Sequence, residues 1–234
     1  STGLSFDDTS IEVFSDSPQQ YIDFVNTFGD SPTTLLWTAG WARDRRDSFI
    51  YPTHGAYQRL TGELSLPGGD LRYYRLSYQH QRFFPIGRQF ALMLNGEFGV
   101  GDGYDDRPLP FFKNFYAGGI GTVRGFETAS LGPRDPVTGD SIGGDRKIVL
   151  NGEFLFPFPG AGQDKSLRLG AFVDAGQVWG AGQDLSLGDL RYSAGLSVTW
   201  ASPIGPLKAS VAQPINKKPD DRVERFQFQV GTSF

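Results

Sequence analysis

The residues best suited to specific chemistry lie in the middle of the chain, around one arginine. Residues 118–126 read Gly-Gly-Ile-Gly-Thr-Val-Arg-Gly-Phe, so Arg124 stands among glycines and apolar side chains. A guanidinium in apolar surroundings needs a carboxylate beside it, because an isolated buried charge is strongly unfavourable. The pattern therefore indicates a shielded ion pair, for which Glu97, Glu153 and Asp174 are available. The alternative is a solvated loop in which Arg124 is incidental.

Other patterns that could support chemistry lack the spacing they need. No Gly-Lys-Ser/Thr follows the glycines at 118–121, so they do not form a phosphate-binding loop. The acidic stretch at 102–106 lacks the spacing and the distal Glu of an EF-hand, and neither His54 nor His80 is placed to activate a serine. The chain has no cysteine, which excludes thiolate chemistry. We expect no enzymatic activity, no metal site and no cofactor.

Composition narrows the fold class. The chain has 234 residues with a formal net charge of −4, which gives it no long-range attraction to nucleic acid. It contains 31 Gly, which disfavours helices, and 20 Phe, 9 Tyr and 4 Trp, which disfavours disorder. No stretch approaches the ~18 apolar residues of a spanning helix. The remaining classes are a soluble β-sandwich and a membrane β-barrel.

The acidic residues must be positioned by β-strands. These strands are predicted from the alternation of apolar and polar side chains at every second residue. Between residues 191 and 200, every second side chain is apolar and the intervening ones are polar or small. Such a strand separates two different environments. The apolar set is Tyr192, Ala194, Leu196, Val198 and Trp200.

The same alternation recurs along the chain and predicts about ten antiparallel strands, most of them ~9–11 residues long, the length that crosses a bilayer when tilted. In two of these strands, Glu153 and Asp174 fall on the polar, inward face. The other stretches with clear alternation are 90–100 and 226–234, and weaker ones occur at 1–8, 35–43, 57–66, 73–84 and 206–213.

Three features favour a transmembrane barrel over a sandwich. Charged residues such as Glu97 and Arg168 occur in mid-strand on the polar face, and aromatic residues such as Trp41 and Trp200 collect where apolar runs end. Connections also alternate between short turns and longer loops, the longest being 101–145. The aromatic content of this loop predicts that it packs on the barrel.

Residues 17–28 are expected to form a short amphipathic helix with Ser17 as its cap and Pro18 at its first position, lying across the barrel rim.

An ordered set of motifs resembles the barrel domain of the BamA family, the central subunits of the bacterial β-barrel assembly machinery. The set spans nearly all of the chain and is least specific over the first 30 residues. It comprises Trp41-Ala-Arg-Asp-Arg-Arg-Asp47 before Pro52-Thr-His-Gly55, Phe115-Tyr-Ala-Gly-Gly119, Val123-Arg124-Gly125-Phe126, Gly152-Glu153-Phe154, Phe172-Val-Asp174-Ala-Gly176, Ser202-Pro-Ile-Gly-Pro-Leu207, Ala212-Gln-Pro214 and the C-terminal run Phe226 to Phe234.

The resemblance implies roles for particular residues. Residues 101–145 would be a long extracellular loop that folds into the lumen, where Arg124 pairs with Asp174 and Glu153. The last strand would be the family's C-terminal β-signal and the movable side of a lateral gate, with Gly231 as its bending point. The residues of this strand that carry the resemblance are Phe226, Phe228, Val230, Gly231 and Phe234.

The resemblance also implies the function and the extent of the chain. The family folds and inserts β-barrel proteins into the bacterial outer membrane through a lateral gate. Its partners are nascent barrel proteins, outer-membrane lipids and lipopolysaccharide, and lipoproteins that dock largely on POTRA domains. Residues 1–234 would form a partial barrel domain, the C-terminal part of a family barrel of sixteen strands, as a fragment or an engineered smaller barrel. A polypeptide-translocating secretion transporter of the same superfamily and a passive diffusion pore are the alternatives.

Overall fold

A computed structural model of the chain describes residues 1–87, 89–160, 166–180, 182–183, 186–202 and 205–231. Ten antiparallel strands form one sheet in which each strand pairs with its neighbours in sequence. The strands are β1 Thr2–Asp8, β2 Thr33–Asp44, β3 Gly55–Leu66, β4 Tyr73–Ile86, β5 Phe90–Gly103, β6 Arg146–Pro157, β7 Leu167–Trp179, β8 Arg191–Ser202, β9 Gly205–Asn216 and β10 Phe226–Val230.

The predicted fold class and strand number are confirmed, whereas most strands are longer than expected. Strands β2 to β9 have 12 to 14 residues. The additional residues continue the ladders beyond the clearly alternating stretches, because backbone pairing does not require an apolar face at the strand ends. None of the helices in the described part of the chain is long and apolar enough to cross a membrane.

The two faces of the sheet have the predicted polarity. Leu196 on β8 is 63% exposed and Phe98 on β5 is 44% exposed, whereas Ser193 and Ser197 on the other face of β8 are buried. Large apolar side chains therefore point outward and polar side chains point inward. This is the reverse of a soluble protein, and it suits a sheet whose outer face contacts lipid.

The sheet is strongly curved. The turn between β2 and β3 reaches the start of β7, where Nη1 of Arg168 donates a 2.7 Å hydrogen bond to the carbonyl of Pro52. The Tyr51 hydroxyl in the same turn donates to the carbonyl of Ser166 and accepts a 2.7 Å hydrogen bond from the amide of Ala201. In a flat sheet β3 and β7 would lie about 20 Å apart, four strand spacings. The sheet thus wraps around its polar face and encloses a lumen.

The helix lies between the sheet and the long loop, and its start differs from the prediction. It spans Gln19–Phe28, and Pro18 precedes it with an extended ψ of 136°. The hydroxyl of Ser17 accepts a hydrogen bond from the amide of Phe14 and does not cap the helix. Phe24 is buried and contacts the ring of Phe111 edge-on at 5.5 Å. The helix therefore also packs against the long loop, an attachment that the sequence did not indicate.

The last strand is short and has a fixed register. Strand β10 pairs with residues Leu207–Val211 of β9. Two prolines, Pro206 and Pro214, flank this ladder, and each lacks the amide that would extend it. Among the described residues, β1 and β10 each have one hydrogen-bonded neighbour in the sheet, so both present an open edge.

The orientation of the faces yields a first prediction. Leu196→Arg places a charge in the middle of the outward face and should lower the free energy of unfolding by ~2–4 kcal/mol. The measurement is urea unfolding in lipid vesicles, followed by tryptophan fluorescence. Gln81→Arg, which adds the same side chain at a position lining the lumen cavity, is the matched control. A larger loss for Gln81→Arg than for Leu196→Arg would mean that the two faces are assigned the wrong way round.

Candidate functional site

Arg124 is held inside the lumen by two carboxylates from adjacent strands. Its Nε and Nη2 donate to Oδ2 and Oδ1 of Asp174 at 2.7 and 2.8 Å, which is a bidentate pair, and Nη1 donates to Oε2 of Glu153 at 3.0 Å. All three residues are buried, and Asp174 is 0% exposed. Burial disfavours the charged guanidinium, but the hydrogen bonds to Asp174 and the charge of Glu153 raise the pKa of Arg124 above its ordinary value. The arginine therefore stays charged.

Further contacts fix the orientation of this ion cluster. The guanidinium carbon of Arg124 lies 3.4 Å from the ring centroid of Phe172, a close cation–π contact. The side-chain amide of Asn151 donates to Oδ1 of Asp174 at 2.8 Å, and the hydroxyl of Ser197 donates to Glu153. Each carboxylate is thus held by a neighbouring polar side chain as well as by Arg124. Phe172, Asn151 and Ser197 were not predicted as part of the site, although Phe172 begins one of the motifs that carry the family resemblance.

The rest of the loop motif is packed against small inward-facing residues. Val123 and Phe126 are both 0% exposed and belong to one apolar cluster. Gly176 on β7 gives Val123 the space it needs, because a Cβ built there would lie 2.6 Å from Cγ2 of Val123. Gly125 has a φ of +90°, which a side chain rarely adopts. Gly176 is thus required by close approach and Gly125 by backbone geometry.

The loop is also attached to the last strand. Residues Gly125–Phe126 pair with Val223–Glu224 in the connection between β9 and β10. Gln227 on β10 completes this contact, since its amide nitrogen donates to the carbonyl of Phe126 at 2.7 Å and its oxygen accepts from the amide of Gly125 at 3.3 Å. Gln227 is 5% exposed and faces inward. Its position between two phenylalanines of the same strand was the only signal for it in the sequence.

The residues predicted for the gate lie apart from the ion cluster. Phe226, Phe228 and Val230 are exposed on the outward face of β10. Gly231 follows the strand with a φ of +92°, and its amide donates to the carbonyl of Pro206 at 2.9 Å. Phe234 lies outside the described residues. Of the predicted partners of Arg124, Glu97 does not contact it and forms an ion pair with Lys147 instead.

An antiparallel strand meander with an apolar outer face, a polar inner face and a loop fixed inside it defines a transmembrane β-barrel. The sequence profile of the Omp85 superfamily domain matches residues 1–234, and the chain belongs to this superfamily. The predicted resemblance to the BamA family is confirmed by a relative from Neisseria meningitidis, an outer membrane protein assembly factor BamA, which is 39% identical over 99% of the chain. The location is the bacterial outer membrane.

The similarity extends to a yeast relative and to a solved structure. The sorting assembly machinery 50 kDa subunit of Saccharomyces cerevisiae is 26% identical, covering 88% of this chain and 44% of its own length. The crystal structure of BamA from Haemophilus ducreyi lacking POTRA domains 1–3 matches with a TM-score of 0.84 and 26% identity, covering 97% of this chain and 49% of that one. The chain covers 34% of the length of the Neisseria relative.

The ion cluster yields a second prediction. Arg124→Ala leaves two buried carboxylates without their partner and should lower the stability of the folded barrel by roughly 3–5 kcal/mol. The measurement is the temperature at which the fast-running folded band is lost in semi-native electrophoresis. Arg222→Ala is the control, because Arg222 is half exposed and its nearest carboxylate oxygens lie 3.9 and 4.0 Å away. An unchanged transition for Arg124→Ala would show that the cluster does not stabilise the barrel.

Proposed function

We propose that the chain is the C-terminal barrel part of an outer-membrane protein assembly factor that folds β-barrel proteins and inserts them through a lateral gate. Its substrates would be nascent outer-membrane barrel proteins. The outward face would contact membrane lipids and lipopolysaccharide, and docking lipoproteins would bind mainly to POTRA domains elsewhere in the protein. The process would need no covalent chemistry, no metal and no cofactor.

One observation carries this proposal: Gln227 connects the docked loop to the strand assigned to the gate. Assembly by strand addition needs an edge with unpaired N–H and C=O groups, and the edge of β10 facing away from β9 is of this kind among the described residues. The edge must also stay extended while its partner is absent. The hydrogen bonds of Gln227 to Gly125 and Phe126 hold β10 from the lumen side and would provide this support.

The proposed sequence of events follows from these contacts. An incoming strand would pair with the open edge, and its apolar face would take the lipid side because Phe226, Phe228 and Val230 set the orientation of the edge. Gly231, with no Cβ, would allow the strand end to bend as the new pair forms. The ion pair of Arg124 would keep the loop docked throughout, so that the lumen wall does not collapse when the edge separates.

The third prediction tests this function. In lipid vesicles, the chain should accelerate the folding of an unfolded outer-membrane barrel protein, measured as the appearance of its folded gel band. Gln227→Ala should slow this folding several-fold, because β10 loses its support from the loop. Gln213→Ala is the matched control, since Gln213 is exposed on β9 and, among the described residues, its side chain hydrogen-bonds only to the adjacent carbonyl of Pro214.

Three outcomes would contradict the proposal. Steady conductance across the membrane without any acceleration of folding would favour a passive diffusion pore. Passage of a polypeptide into the vesicle interior, where external protease cannot reach it, would favour a secretion transporter. Equal activity of Gln227→Ala and the unmodified chain would show that the link between loop and strand has no role in the reaction.

A further inference from the structure

A row of polar side chains crosses the inward face of the last four strands near the short-turn end. Each strand contributes one residue, and neighbours in the row are register partners. Arg168 on β7 pairs with Thr199 on β8. Thr199 pairs with Lys208 on β9, and Lys208 pairs with Gln229 on β10. Directly opposed side chains on one face of a sheet have Cβ atoms about 5 Å apart. Arg168 and Lys208 therefore flank the Thr199 side chain, with their Cβ atoms about 10 Å apart.

The carboxylates around this row are already engaged. The buried carboxylates beside Arg124, Arg168 and Lys208 are Glu153 and Asp174. Both oxygens of Asp174 bind Arg124. Glu153 uses one oxygen for Arg124 and the other for the hydroxyl of Ser197. A third carboxylate, Asp47 in the turn between β2 and β3, also acts on Arg168, but it accepts hydrogen bonds from Thr53 and His54.

Arg168 and Lys208 are the two basic side chains of this row. Within the described part of the chain, neither has a carboxylate oxygen within ion-pair distance. Arg168 is 9% exposed, and its Nη1 donates to the carbonyl of Pro52, but its buried Nη2 has no hydrogen-bond partner among the described residues. A buried guanidinium nitrogen without an acceptor is costly, and a water molecule could satisfy the hydrogen bond without neutralising the charge.

There is room for a ligand at this place. Arg168, Thr199, Lys208 and Gln229 all line a cavity of about 620 Å³ in the lumen. The basic side chains of Arg168 and Lys208 and the hydroxyl of Thr199 thus converge on one lumenal cavity. Such donors match the needs of an oxyanion, whose oxygens accept several hydrogen bonds at once.

We propose that Arg168, Thr199 and Lys208 form a lumenal binding site for a small oxyanion, a phosphate or a carboxylate. The ligand lies between the Arg168 and Lys208 side chains, accepts a hydrogen bond from the free Nη2 of Arg168 and forms the direct ion pairs that both side chains lack among the described residues. The same chemistry can come from a dissolved phosphate or from a carboxylate of a polypeptide inside the lumen. The site is distinct from the Arg124 cluster, whose donors are already used.

The test is a titration of the refolded chain in detergent micelles with inorganic phosphate, at constant ionic strength maintained with chloride. Isothermal calorimetry should show saturable binding. Lys208→Gln should weaken the affinity about tenfold or more, and it removes no hydrogen bond or ion pair present among the described residues. Arg168→Gln should have a similar effect, but it also loses the contact with Pro52, so its folded gel band is checked first. Arg59→Gln, which removes a cation elsewhere in the same cavity, should leave the affinity unchanged.

A competition experiment distinguishes the two sources of the oxyanion. A short unstructured peptide with a free C-terminal carboxylate is compared with its C-terminal amide as a competitor of phosphate. Competition by the acid alone supports a polypeptide carboxylate as the ligand, and no competition by either peptide supports a dissolved phosphate. Absence of saturable phosphate binding, or an affinity of Lys208→Gln equal to that of the unmodified chain, would overturn the proposed site.

Discussion

The structure depends on one electrostatic constraint: the charge of Arg124 lies out of water and must be neutralised there. Its partners come from two adjacent strands, so the loop can satisfy the arginine only when β6 and β7 are paired in the register that places Asn151 opposite Asp174. The bidentate geometry also fixes the angle at which the loop enters the lumen. Docking of the loop and correct pairing of the wall are therefore coupled.

This constraint extends to the edge of the sheet through neighbouring contacts. Gly125 and Phe126 follow the arginine directly and pair with the connection before β10, while Gln227 bonds to both of their backbones. Three consecutive loop residues, Arg124 to Phe126, thereby connect the ion cluster on β6 and β7 to the last strand, β10. In a membrane, where the outer face contributes little packing between neighbouring elements, such inward contacts hold the architecture together.

Much of the fold could be predicted from the sequence because a barrel wall separates two solvents. The period of two gave the strands and the inward orientation of Glu153 and Asp174, both of which the structure shows. The role of Gln227 could not be predicted, since any polar residue at that position satisfies the alternation and only the folded loop reveals its two backbone partners. The same holds for the turn at Tyr51 and Pro52, whose contacts with β7 and β8 depend on curvature. The helix start was misjudged by one residue because Pro18 is compatible with both the first helical position and the residue before it.

The short ladder between β9 and β10 restricts how the last strand can move along its neighbour. The ladder holds five residue pairs, with Phe226 and Phe228 outward and Gln227 inward. A slip of this pairing by one residue would present Gln227 and Gln229 to lipid and Phe226 and Phe228 to the lumen. A slip by two residues would preserve the faces. The last strand can therefore slide only in even steps, a restriction that no single contact would reveal.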